Sequence, residues 1–125
     1  MIFRRLMVLS VIVFALAGCA VAERREAQLV DTPVFCNGEK DCMEKWEKAE
    51  VWVTNNSKWR IQRASNTVIQ TYGPGTTEAD TAFKITKIPL GDGKYEIRME
   101  ARCNNWFGCF PKPAEAKHDF YNYIK

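Results

Sequence analysis

The sequence predicts an α+β domain, a four-stranded antiparallel sheet packed by an N-terminal and a C-terminal helix, and three stretches carry that prediction. Tyr95, Ile97, Met99, Ala101 and Cys103 alternate with Glu96, Arg98, Glu100 and Arg102, the period of a strand with one dry and one wet face. Met43, Trp46, Ala49 or Glu50, and Val53 recur at helical spacing, and Ala116, Phe120, Tyr123 and Ile124 form a second apolar stripe near the end of the chain. An antiparallel sheet must bury its apolar face on something, and two amphipathic helices are available to cover it.

The first helix is expected from about Cys42 to Val53, opened by the capping-box-like pair Asp41 and Glu44 and ended by Asn55-Asn56-Ser57, residues that readily bond their own backbone. Trp59–Arg63 and Thr67–Tyr72 read as strands joined around Ser65-Asn66, with Trp59 and Ile61 on one face. Gly73-Pro74-Gly75 breaks the pattern, and a polar loop leads to the strand Ala82–Ile88, where Phe83 and Ile85 share a face. Gly91-Asp92-Gly93 supplies a tight turn into the alternating strand. Pro111 and Pro113 end the sheet region, and Pro113 suits the first turn of the final helix.

The 125-residue chain opens with Arg4 and Arg5, then an apolar run from Leu6 to Leu16 interrupted only by Ser10, then Leu16-Ala17-Gly18-Cys19. The run is of signal-peptide length, short of the roughly 20 apolar residues needed to span a bilayer. This segment resembles the signal peptide and lipobox of a bacterial lipoprotein precursor. The resemblance implies cleavage after residue 18, a diacylglycerol thioether on Cys19 and acylation of its new amino group. One fatty chain binds a membrane marginally, at about 0.8 kcal/mol per buried CH₂, whereas two or three hold it essentially irreversibly. Ala20 follows the cysteine, which in that class implies export to the outer membrane, with the folded part facing the periplasm.

Three parts are therefore expected: a signal peptide over 1–18, a lipidated cysteine and tether over 19–34, and a single domain over 35–125. Loss of Arg4 and Arg5 leaves 16 basic against 15 acidic residues, a balance that gives no electrostatic case for nucleic acid. Partners must lie close to the membrane face: the 17 steps from Cys19 to Cys36 reach at most roughly 60 Å.

Once Cys19 is lipidated, Cys36, Cys42, Cys103 and Cys109 remain, an even set in an oxidising compartment, so two disulfides are expected. Three connectivities are open. A long bridge such as Cys42 to Cys103 constrains the unfolded chain by about 4 kcal/mol against about 2 to 2.5 kcal/mol for each local one, yet proximity forms the local pairs first. Local pairing is the expectation. A zinc site would use closer cysteine pairs, and a thiol oxidoreductase would use Cys-x-x-Cys, which is absent.

The segment Cys36–Trp52, with Cys42, Trp46, Ala49 and Trp52, and the segment Cys103-Asn104-Asn105-Trp106-Phe107-Gly108-Cys109-Phe110-Pro111 together resemble a group of small proteobacterial lipoproteins without an established function. The resemblance brings compartment and fold, and no catalytic residue.

Nothing in the pattern assembles a catalyst, and no cofactor or metal is implied beyond the covalent lipid. His118 stands alone, Ser57 and Ser65 have no base at a recognisable spacing, and Gly73-Pro74-Gly75 is followed by no phosphate-binding lysine and helix. Glu96 and Glu100 share a strand face about 13 Å apart, too far for a carboxylate pair, and with Arg98 and Arg102 they read as a solvated surface. Trp106, Phe107 and Phe110 gather in one cysteine-bounded stretch, and Trp52 and Trp59 flank the end of the first helix. Such rings usually pack over a disulfide and close a sheet; the alternative is a docking platform, the leading candidate site. The expected function is a non-catalytic structural or protein-interaction module of the envelope, anchored to the membrane and engaging another envelope protein. The alternative is a module binding a small ligand or cell-wall glycan in a groove between sheet and helix.

Overall fold

In the computed structural model, which describes residues 32–125, the elements run β1 (Val34–Asn37), α1 (Gly38–Asn56), β2 (Ile61–Ala64), β3 (Val68–Thr71), β4 (Ala82–Gly91), β5 (Lys94–Arg102) and α2 (Pro113–Ile124). The signal segment 1–18, Cys19 and the tether as far as residue 31 lie outside the described residues. All strand pairs are antiparallel, in the order β1-β5-β4-β3-β2.

The α+β class holds, but the sheet has five strands rather than the expected four, and a strand precedes the first helix. The sequence places Val34 in the tether and Cys36 in a cysteine loop, because the four residues of β1 are too few to display a period. Their strand geometry comes from a distant partner: Val34 pairs with Ile97 and Cys36 with Tyr95. Burial then alternates along β1, with Val34 and Cys36 inward and Phe35 and Asn37 outward.

The long helix explains how neighbours in sequence become opposite edges of the sheet. With 19 residues, α1 is about 28 Å long, enough to cross five strands set about 4.8 Å apart. It leaves β1 at one edge and delivers the chain to β2 at the other, and the β2–β5 meander walks back. Asp41 does not cap the helix as expected. The helix begins at Gly38, and the Asp41 carboxylate instead accepts the backbone N–H of Asn37 at 2.8 Å and the Lys45 ammonium at 3.2 Å. The Asn37 hydrogen bond, joined by Lys45, holds the Asp41 pKa below its ordinary value against an opposing desolvation.

The buried stripe of α1 is Cys42, Trp46, Ala49, Trp52 and Val53: Trp46, Ala49 and Val53 are inward as expected, Glu50 is outward, and Cys42 takes the place of Met43, which is exposed. In α2 Tyr121 is buried and Tyr123 is exposed, again a correction. Tyr121 is held inward by chemistry that apolar spacing does not reveal. Its hydroxyl accepts the Met99 N–H at 2.9 Å, satisfying a donor on the stretch of β5 that runs past the end of β1.

Both helices lie on the sheet face formed by Val34, Cys36, Ile69, Phe83, Ile85, Ile97 and Met99. Trp52 sits at the centre, edge-on to Phe83 and to Phe120 at centroid distances of 5.2 and 5.4 Å, while its indole N–H donates to Asp119 at 2.8 Å. The other face is wet, as expected: Arg98 and Glu100 are exposed, and the Arg98 guanidinium donates twice to the Glu96 carboxylate at 3.1 Å. The Gly91-Asp92-Gly93 turn has positive φ at all three residues, 98°, 53° and 73°, so the expected tight hairpin forms.

Candidate functional site

The two disulfides are the local ones, Cys36–Cys42 and Cys103–Cys109. The second closes a loop directly after β5, and that loop is the most exposed apolar feature of the described residues. Trp106 is 95% exposed, Phe110 71% and Phe107 52%. Trp106 and Phe107 meet edge to face at 5.6 Å, and among the described residues no other ring contacts the indole.

The backbone beneath the rings is fixed from several directions. The disulfide joins the ends of the loop, and Asn105 donates from Nδ2 to the Glu78 carbonyl at 2.7 Å. Phe110 N–H donates to Ala79 O at 2.7 Å, and Thr81 N–H donates to Phe110 O at 3.3 Å. The buried Thr81 hydroxyl donates to Pro111 O at 2.6 Å. The segment Glu78–Thr81 is thus a backing plate for the loop. It is itself held by Trp59, whose indole N–H donates to Asp80 O at 2.8 Å. The Trp59 ring lies so close over Gly73 that a Cβ there would sit 2.5 Å from it, and Gly73 has φ of +78°, so only glycine fits.

The expected site residues divide on this geometry. Trp106, Phe107 and Phe110 come together on one loop, but they do not pack over the disulfide to close the sheet. Local closure explains why: the five residues between Cys103 and Cys109 are bent back by the bond and tied to Glu78 through the Asn105 side chain, Phe110 just beyond them is bonded to Ala79 and Thr81 through its backbone, and the rings are left exposed. Trp52 does enter the core, and Trp59 lies outside β2, serving the backing plate rather than a strand face. The anchors Asn105, Thr81 and Gly73 were not picked out from sequence. The Gly73-Pro74-Gly75 break was the one visible signal that this loop is built to a shape.

The remaining candidates stay apart. His118 bonds Asn122 on its own helix at 3.0 Å. Ser65 shapes the β2–β3 turn, its hydroxyl accepting the Thr67 and Val68 N–H groups. Ser57 ends α1 and donates to Trp59 O. Among the described residues no three His, Cys, Asp or Glu side chains converge as metal ligands, and no helix is long and apolar enough to cross a membrane. Comparison with family models, with curated proteins and with solved structures finds no match to this chain.

Proposed function

We propose that this chain is a lipid-anchored envelope protein of the outer membrane, facing the periplasm through Cys19 lipidation, and that its folded domain is a non-catalytic docking module. Trp106, Phe107 and Phe110 are the contact residues, and the partner is an envelope protein with an apolar cleft. One observation carries the reading: three large rings stand exposed on a backbone that is already pinned. Burying a single such ring in a partner contributes about 1.5 to 3 kcal/mol, and a loop held in shape beforehand loses little entropy when it docks. Tryptophan with neighbouring aromatics is also the composition of interface hot spots.

Crosslinking in cells followed by purification tests this. The wild type should capture a defined envelope protein, and a Trp106→Ala/Phe107→Ala variant that remains folded should lose it. Retention of every crosslink by that variant refutes the loop assignment. Binding of the purified protein to protein-free lipid vesicles through these rings would make the membrane, rather than a protein, the occupant. The anchor has its own test: Cys19→Ser should abolish palmitate incorporation and membrane sedimentation.

A groove at the other end of the sheet favours a second reading, a small-ligand or glycan-binding module. It is a cleft of about 590 Å³ between the start of α1 and the β2–β3 and β4–β5 turns, within the usual range of ligand sites.

A further inference from the structure

β4 breaks its own pattern at one position. Phe83 and Ile85 point into the core, and the next residue on that face is Lys87, paired in register with the fully buried Ile97. A cation where the alternation calls for an apolar side chain is a local inconsistency of the kind that marks sites. The Lys87 ammonium lies 5.2 Å from the centre of the Trp46 ring and 5.4 Å from that of Tyr95. Two aromatic faces thus attract it, yet it meets no carboxylate or carbonyl among the described residues. Lys87 itself lines the groove beside Trp46 and Tyr95, so its ammonium, with three donors, stands within reach of a ligand there.

The rest of the lining is mixed. Met43 and Tyr95 offer apolar surface, Asn66 and Thr67 offer hydrogen-bonding groups, and Glu39 lies in the same cleft without pairing with Lys87. Trp46 is locked in place by its indole N–H, which donates to Ser65 O at 2.9 Å, so the cation's platform is rigid. Eight steps of β5, about 26 Å at strand rise, separate this end of the sheet from the aromatic loop. The two sites can act independently.

We infer that the groove binds a carboxylated saccharide. Lys87 takes the carboxylate, Met43 and Tyr95 meet the C–H face of the sugar ring, and Asn66, Thr67 and Glu39 hydrogen-bond its hydroxyl and amide groups. This deepens the small-ligand reading and rests on it. A neutral sugar would leave the ammonium unpaired, and a bare carboxylate would leave the apolar wall uncovered, so the combination is what the lining selects.

Titrations of the full-length chain in detergent micelles, read from the Trp46 indole N–H resonance, separate these cases. The probes are N-acetylmuramic acid, N-acetylglucosamine and lactate, the second and third being the two chemical halves of the first. N-acetylmuramic acid should saturate the Trp46 shift at a concentration lower than either half by about tenfold or more. Lys87→Met should remove that preference, Lys87→Arg should keep most of it, and Trp106→Ala should not alter it. Equal affinity for N-acetylmuramic acid and N-acetylglucosamine overturns the acidic preference while leaving a glycan module standing. A flat titration with all three probes overturns both, and an unchanged preference in Lys87→Met overturns the role of the lysine.

Discussion

The two disulfide loops have the same spacing, six residues from cysteine to cysteine, and they do opposite work. Cys36–Cys42 ties β1 to the second turn of α1 with both residues inside the core, Cys36 1% and Cys42 4% exposed. Cys103–Cys109 is half-buried and ties a surface loop to itself. The first bond is surrounded by Val34, Trp46 and their neighbours in the main apolar cluster, so it holds the sheet edge to the helix. The second is bordered by Trp106, Phe107 and Phe110, rings that stand exposed on the surface, so in the proposed reading it holds a shape for a partner. Identical loop closure therefore constrains the unfolded chain equally in both places; what differs is what each bond restrains in the native state.

That contrast orders the expected effects of substitution. Replacing Cys36 and Cys42 together by alanine should be the most damaging, because about 2 to 2.5 kcal/mol of closure is lost along with packed sulfur in the core, for a total of about 3 to 5 kcal/mol. Urea unfolding measures it, and a loss equal to that of the second loop would erase the distinction. Cys103→Ser with Cys109→Ser should cost about 2 kcal/mol, leave the near-ultraviolet signal of Trp52 in place and abolish partner crosslinking. Gly73→Ala should cost about 1 to 2 kcal/mol, since it strains a positive φ and displaces Trp59 from the backing plate. Trp106→Ala should change stability by no more than about 0.5 kcal/mol while removing the crosslink.

Acid should weaken the core-staple end of the molecule through Asp41. The Asp41 pKa is lowered in the folded state by the Asn37 N–H and by Lys45. A depressed carboxylate contributes stability above its unfolded pKa and loses it as the pH falls through the folded value. Asp41→Asn should thus flatten the acid limb of the stability curve measured below the ordinary carboxylate range, and an unaltered limb would remove Asp41 from that role.

Much of the fold could be read from the chain because the informative stretches bury one face locally. β5 alternates over nine residues, the Gly91–Gly93 turn names its own geometry, and Ala49 and Val53 repeat with Trp46 at helical spacing. What escaped depends on contacts distant in sequence. β1 is a strand only because Ile97 and Tyr95 lie beside it, and Tyr121 replaces Tyr123 in the core because its hydroxyl finds the Met99 N–H. The stripe of α1 slips from Met43 to Cys42 because the Cys36 disulfide draws that residue inward. At the aromatic loop, residue type nominated Trp106, Phe107 and Phe110, but their exposure follows from hydrogen bonds to Glu78–Thr81 that no local pattern announces. Lys87 was hidden for a related reason: its departure from the strand pattern is visible in sequence, but the two rings beneath it come from α1 and β5.

The most direct measurement is graded reduction of the native protein with alkylation and mass mapping, while circular dichroism follows the fold. Division of labour between the two bonds requires Cys103 and Cys109 to be labelled first, with the tertiary signal intact, and Cys36 and Cys42 only as the domain unfolds. Labelling of Cys36 and Cys42 first, or of all four cysteines in one cooperative step, would contradict it.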